Sequence, residues 1–167
     1  MKTIAQCMKR EVISITTHAT VRDAITKIVT RHIGTLPVID ENGILVGTLR
    51  LADLIGLGMP DFLQFLDHIE FIHTFGAVEI SHPDAKALSK PVAEIMREAV
   101  SVEESAGLLR ASALLYKNQL MDIPVVDDQH KLVGIASRVD IGVALMKDWI
   151  GASDLDDRTP SEAEGER

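Results

Sequence analysis

Residues 33–53 read IGTLPVIDENGILVGTLRLAD, and residues 120–140 read LMDIPVVDDQHKLVGIASRVD. At an offset of 87 the two stretches share seven of 21 positions without a gap: Pro37/Pro124, Val38/Val125, Asp40/Asp127, Leu45/Leu132, Val46/Val133, Gly47/Gly134 and Asp53/Asp140. Apolar residues match at five of the others: Ile33/Leu120, Leu36/Ile123, Ile39/Val126, Leu49/Ala136 and Ala52/Val139. Repetition at this length indicates two copies of one supersecondary unit, each needing a partner to bury its apolar face.

The repeat extends upstream. Thr3-Ile4-Ala5-Gln6-Cys7-Met8 has a second version at Pro91-Val92-Ala93-Glu94-Ile95-Met96. Each reads as a single helical turn or an extended lead-in. Val12–Ile15 and Val100–Val102 are β-branched runs that predict short strands. Val21, Ala24, Ile25, Ile28 and Val29 follow with helical spacing, and Thr20 with Asp23 forms a capping box. Leu108, Ala111, Leu115 and Tyr116 repeat that spacing, with a weaker cap at Gly107 or one from Ser105. Leu36–Asp40 and Ile123–Asp127 predict strands with proline near their start, where little ladder bonding is lost. Glu41-Asn42-Gly43 predicts a hairpin turn, and Asp128-Gln129-His130 a looser one. Return strands at 44–49 and 131–136 lead to final helices near 51–56 and 139–149.

Between the copies lies an insert, 58–90. Phe62, Phe65, Leu66, Ile69, Ile72 and Phe75 give it a helical apolar stripe, and 83–88 predicts a further turn of helix. This stripe either packs on its own module or extends an interface. Residues 152–167 carry six acids, two bases and one leucine, which predicts a disordered acidic tail from 151 onward.

The net charge of −8 argues against nonspecific binding to nucleic acid or anionic lipid. One cysteine excludes an internal disulfide and a cysteine-based zinc site. No long apolar segment predicts a membrane span, and the expected setting is the cytoplasm. His68 and His73 stand five apart, on different faces of a helix, so no metal site is expected. No catalytic constellation is evident, and the chain is expected not to be an enzyme.

The full order of elements, found twice, resembles a tandem pair of CBS domains, a Bateman module. The resemblance rests on the lead-ins ending in Met8 and Met96, the Pro-Val-x-Asp strands, and the Gly47–Asp53 and Gly134–Asp140 ends. It implies an α+β (α/β) fold of two β-α-β-β-α repeats, 3–57 and 91–150, related by a pseudo-twofold axis, with ligand clefts between them. It also implies a regulatory, non-catalytic role, homodimerisation and a separate effector protein. The implied regulatory ligand is an adenine nucleotide (AMP, ADP, ATP) or S-adenosylmethionine; no other cofactor is required.

The family's ligand signature, Gly-h-x-Thr/Ser-x-x-Asp, is met by Gly134 to Asp140. A carboxylate can accept from both ribose hydroxyls, and a hydroxyl such as that of Ser137 can donate to phosphate. Carried over on the resemblance, the favoured cleft uses Ser137, Arg138 and Asp140 with Met8, Ile13, Gly34 and Thr35. The mirror cleft would use Arg50 and Asp53 with Val100, Met121 and Asp122. It departs from the signature at Arg50, which either pairs with phosphate or fills the cleft by pairing with Asp53 or Asp122. A plain alternative treats Asp53 and Asp140 as helix-start acids and the molecule as a scaffold acting through its insert.

Overall fold

The computed structural model describes residues 2–59, 82–147 and 149–150. The phenylalanine stripe, His68, His73 and the acidic tail lie outside them. The chain divides into two compact units, neither a continuous stretch. The first contains Ile13–Ala99 and Gln129–Leu132; the second contains Met1–Val12, Val100–Asp128 and the segment from Val133 onward.

In the first unit, β1 (Ile15–Thr16) pairs in parallel with β2 (Thr35–Ile39), and β2 pairs antiparallel with β3 (Leu45–Arg50). The β2–β3 register places Thr35 opposite Arg50 and Val38 opposite Gly47, then shifts between Val38 and Ile39. Helix α1 (Val21–Arg31) starts on the expected box: Thr20 Oγ1 accepts from Asp23 N–H, and Asp23 accepts from Thr20 N–H. It buries Val21, Ala24 and Ile28 and ends at His32 in the left-handed region. Val29, read as part of the apolar stripe, is exposed. Helices α2 (Leu51–Gly56) and α3 (Ala85–Ser89) complete the unit, α3 capped by Asp84.

The second unit repeats the plan. Its sheet has the order β4 (Val102–Glu103), β5 (Asp122–Val126), β6 (Leu132–Ser137). Helix α4 (Leu108–Lys117) begins at Gly107 with no side-chain cap, as glycine offers no acceptor. It buries Leu108, Ala111 and Leu115 but leaves Tyr116 exposed. Helix α5 (Arg138–Met146) closes the unit. The strands at 12–15 and 100–102 are shorter and later than β-branching suggested. Only Ile15–Thr16 and Val102–Glu103 enter the ladders, pairing with Val38–Ile39 and Val125–Val126.

The lead-ins are exchanged. Residues 4–6, a 3₁₀ turn, complete the second unit, and residues 92–94 complete the first. Ile4, fully buried, belongs to the core of Leu108, Ala111, Leu115, Ile123, Val125 and Ile141. Val92 is its counterpart in the core of Val21, Ala24, Leu36, Val38 and Leu49. Backbone bonds anchor both turns: Ile4 N–H to Ala106 C=O at 2.9 Å, and Val92 N–H to Ala19 C=O at 2.8 Å. Lys9 and Ile135 exchange two bonds, as do Arg97 and Thr48.

This exchange accounts for two of the repeated glycines. A Cβ at Gly134 would lie 2.5 Å from Met8 Sδ, and one at Gly47 would lie 2.6 Å from Met96 Sδ. Each lead-in methionine thus lies across the glycine of β3 or β6, where a side chain would have to displace it. Gly43 has a different reason, a φ of 81° in the β2–β3 turn. Asp40 braces that turn by accepting from Asn42 and Ile44 N–H. His130 takes the matching left-handed position after β5, φ 63°, a conformation more costly for a residue with a Cβ.

Candidate nucleotide site and its counterpart

In the second unit the site is built at the start of α5. Ser137 leaves β6 in an extended conformation and becomes the N-cap. Its Oγ accepts from Asp140 N–H at 3.0 Å and donates to Asp140 Oδ2 at 2.7 Å. Its own N–H donates to the same oxygen at 2.9 Å. Among the described residues, the hydrogen bonds accepted by Asp140 all fall on Oδ2. Lys9, from the exchanged lead-in, holds Nζ 3.8 Å from that oxygen, a loose pair at 68% and 22% side-chain exposure. Burial opposes ionisation of Asp140, but the Ser137 bonds and the Lys9 charge outweigh it and hold the carboxyl below its usual range.

A hollow of about 440 Å³ opens beside Asp140, lined also by Gln6, Cys7, Leu108, Val139 and Val143. Cys7 donates its thiol to Ile4 C=O, and burial, then the Asp140 charge, pushes its thiol up. It is a packed residue, and its raised pKa keeps it protonated.

The other residues of the favoured set fall in different places. Met8 belongs to this unit, packed across Gly134. Arg138 turns away from Asp140 and donates from Nε to Leu120 C=O and from Nη2 to Leu115 C=O. It thereby satisfies carbonyls at the end of α4, a common use of arginine at a helix C-terminus. Ile13, Gly34 and Thr35 belong to the first unit. Ile13 packs on its core, Thr35 is buried at the start of β2, and Gly34 faces open space with its C=O accepting from Leu51 N–H.

The counterpart in the first unit has the same frame and different chemistry. Arg50 is the N-cap of α2, and its N–H donates to Asp53 Oδ2 at 3.2 Å. Its guanidinium adds Nε to Oδ2 at 3.3 Å and Nη2 to Oδ1 at 3.4 Å. Arg97 Nε, from the other exchanged lead-in, reaches Asp53 Oδ1 at 2.7 Å. Asp53 is only 9% exposed. Burial opposes its charge, yet the two arginines prevail and its carboxyl lies below the usual range. Asp53 is thus one partner of Arg50, as the place of Arg50 three residues upstream allowed. A hollow of about 620 Å³ adjoins these residues, lined also by Ala52, Gly56, Leu57, Met59 and Ile95. Val100, Met121 and Asp122 belong to the second unit. Val100 packs on its core, Met121 is exposed and accepts from Arg138 N–H, and Asp122 opens β5.

Sequence reasoning missed Lys9 and Arg97. The signal was present: each follows the lead-in methionine, a base at the same place in both copies. Among the described residues no three His, Cys, Asp or Glu side chains cluster as a metal site would require, and no helix is long and apolar enough to cross a membrane.

Two α+β units of one plan, each with a carboxylate at the third position of the helix that follows its last strand, define a tandem-repeat module. The CBS domain model matches residues 4–59 and 92–147, and the chain belongs to the CBS domain family. Among curated relatives, the chloroplastic CBS domain-containing protein CBSX1 of Arabidopsis thaliana is 35% identical over 130 residues, covering 71% of this chain and 52% of that protein. CBSX2 of the same plant is 33% identical over 125 residues, with the same coverage. The chain thus spans about half the length of these relatives. YhcV of Bacillus subtilis is 26% identical over 156 residues, covering 93% of this chain and 94% of that protein. The crystal structure of CBSX2 in complex with AMP matches with a TM-score of 0.67 at 28% identity, covering 89% of this chain and 99% of that one.

Proposed function

We propose that this chain is a ligand-sensing module that binds an adenine nucleotide or adenosyl ligand through Ser137 and Asp140 and signals to a separate protein. The observation that carries this is that, among the described residues, the hydrogen bonds Asp140 accepts fall on Oδ2, which leaves Oδ1 as acceptor for a ribose hydroxyl. The AMP complex of CBSX2 supports the ligand class. Met8, in the same unit, completes the binding set in this reading. Arg138 does not, because its guanidinium is committed to the end of α4. A ligand of this kind acts only through unequal affinity for two states of the module.

Self-association belongs to the same reading. Helix α5 and the residues after it expose Val139, Val143, Met146, Trp149 and Ile150, and a second copy would cover them.

Calorimetric titration with AMP, ADP, ATP and S-adenosylmethionine tests the site, with Asp140→Ala as control. Saturable binding of at least one ligand, lost in the variant, is expected. Absence of binding by all four, or undiminished binding by Asp140→Ala, overturns the assignment.

A further inference from the structure

We propose that Arg50 and Arg97 act together as a built-in occupant of the Asp53 carboxylate, excluding nucleoside ligands from the first unit and leaving the chain with one nucleoside site. This rests on the reading of Ser137 and Asp140 as the nucleotide site, of which the Arg50–Asp53 pair is the structural counterpart.

The argument is one of acceptor capacity. A carboxylate offers about four directions from which hydrogen bonds can be accepted. Among the described residues Asp53 receives four: Arg97 Nε and Arg50 Nη2 on Oδ1, Arg50 N and Nε on Oδ2. A ribose diol has only neutral hydroxyls to offer. To reach Asp53 it must displace guanidinium donors whose bonds are charge-assisted and stronger. Burial of the carboxylate, 9% exposed, raises that barrier, since a displaced arginine would leave a charge poorly solvated.

Both arginines stand where the other copy has a weaker group. Arg50 replaces Ser137, whose short hydroxyl caps the helix and engages one oxygen. Arg97 replaces Lys9, whose ammonium stays 3.8 Å away on an exposed side chain. A planar fork holds a carboxylate in fixed geometry, whereas a lysine is a movable point charge. The exclusion is therefore a property of two positions, one in the strand-to-helix junction and one in the exchanged lead-in.

The test is the stoichiometry of AMP binding by calorimetry. It uses the full chain, Asp140→Ala, Arg50→Thr/Arg97→Gln, and the three substitutions combined. The expected numbers of sites are one, none, two and one. Two sites in the unaltered chain, with one surviving in Asp140→Ala, would overturn the exclusion. So would a folded double variant that still binds a single AMP. If the unaltered chain binds no AMP, the nucleotide reading of Ser137 and Asp140 fails for that ligand. A site gained by the double variant would still support the exclusion, and none gained would overturn it. Should the double variant not fold, Arg50→Ser/Arg97→Lys, which installs the second unit's own cap and base, decides. An added site in that variant supports the proposal, whereas no added site overturns it.

Discussion

Asp140 and Asp53 occupy the same place in two copies of one fold and are used differently. Asp140 is held by a serine hydroxyl and a backbone N–H on one oxygen, with a distant lysine. Asp53 is gripped by two arginines on both oxygens. The frame is identical: a β-strand turns into a helix, and the third helical residue returns its carboxylate to the N-cap backbone. The frame therefore has a structural purpose, helix capping, that survives whether or not a ligand binds. In the proposed reading, ligand binding is decided by what the capping arrangement leaves over. A small cap leaves an oxygen; a guanidinium cap leaves none.

The largest expected effect concerns the segments that deliver the two bases. Ile4→Ala removes a fully buried side chain and should cost about 2–5 kcal/mol. It should also loosen Lys9 beside Asp140 while sparing Arg97 and Asp53. Chemical denaturation with hydrogen exchange resolved by unit would show protection lost first around α4 and α5; equal loss in the first unit would break the pairing of lead-in with unit.

Next in size are the caps. Ser137→Ala should destabilise the second unit by about 1 kcal/mol, the usual worth of an N-cap hydroxyl. Arg50→Ser should cost less, since serine restores the hydroxyl cap that α5 already has. Thermal melts of the two variants rank them, and a larger loss in Arg50→Ser would mean that the guanidinium pair stabilises more than a cap does.

The smallest effect is the response to acid. Both carboxyls lie below their usual range when folded. Each therefore adds stability that is present above the unfolded value, about 3.9, and is lost as pH falls through the folded one. Partial solvent exposure limits the size. Asp53→Asn should flatten the stability curve below about pH 4 more than Asp140→Asn does, because more cationic donors act on Asp53. Denaturant midpoints measured across that range give the comparison.

Much of this could be read from the chain. The box at Thr20 and Asp23, the Pro-Val-x-Asp strands and the Asp40–Gly43 turn are local, and local patterns carry their own geometry. The pairing of Ser137 with Asp140 was legible for the same reason. The exchange of lead-ins was not. Ile4 and Val92 look alike, and nothing local says which of two similar cores each will fill. The role of Arg138 escaped because its partners, Leu115 and Leu120, are carbonyls distant in sequence. Arg97 escaped because it lies 44 residues from Asp53.

The exchanged lead-ins bear on the order in which the chain can mature. Residues 3–9 are synthesised early, yet the bonds of Ile4 to Ala106 and of Lys9 to Ile135 must wait until those partners have been made. The first unit gathers its lead-in, Val92 to Arg97, from directly downstream and can assemble most of its core sooner. Closing a long loop adds entropy cost only slowly with length, but such distant contacts slow folding. During translation the early turn must wait without its native partners, Ile4 and Met8 outside their core, while the first unit forms.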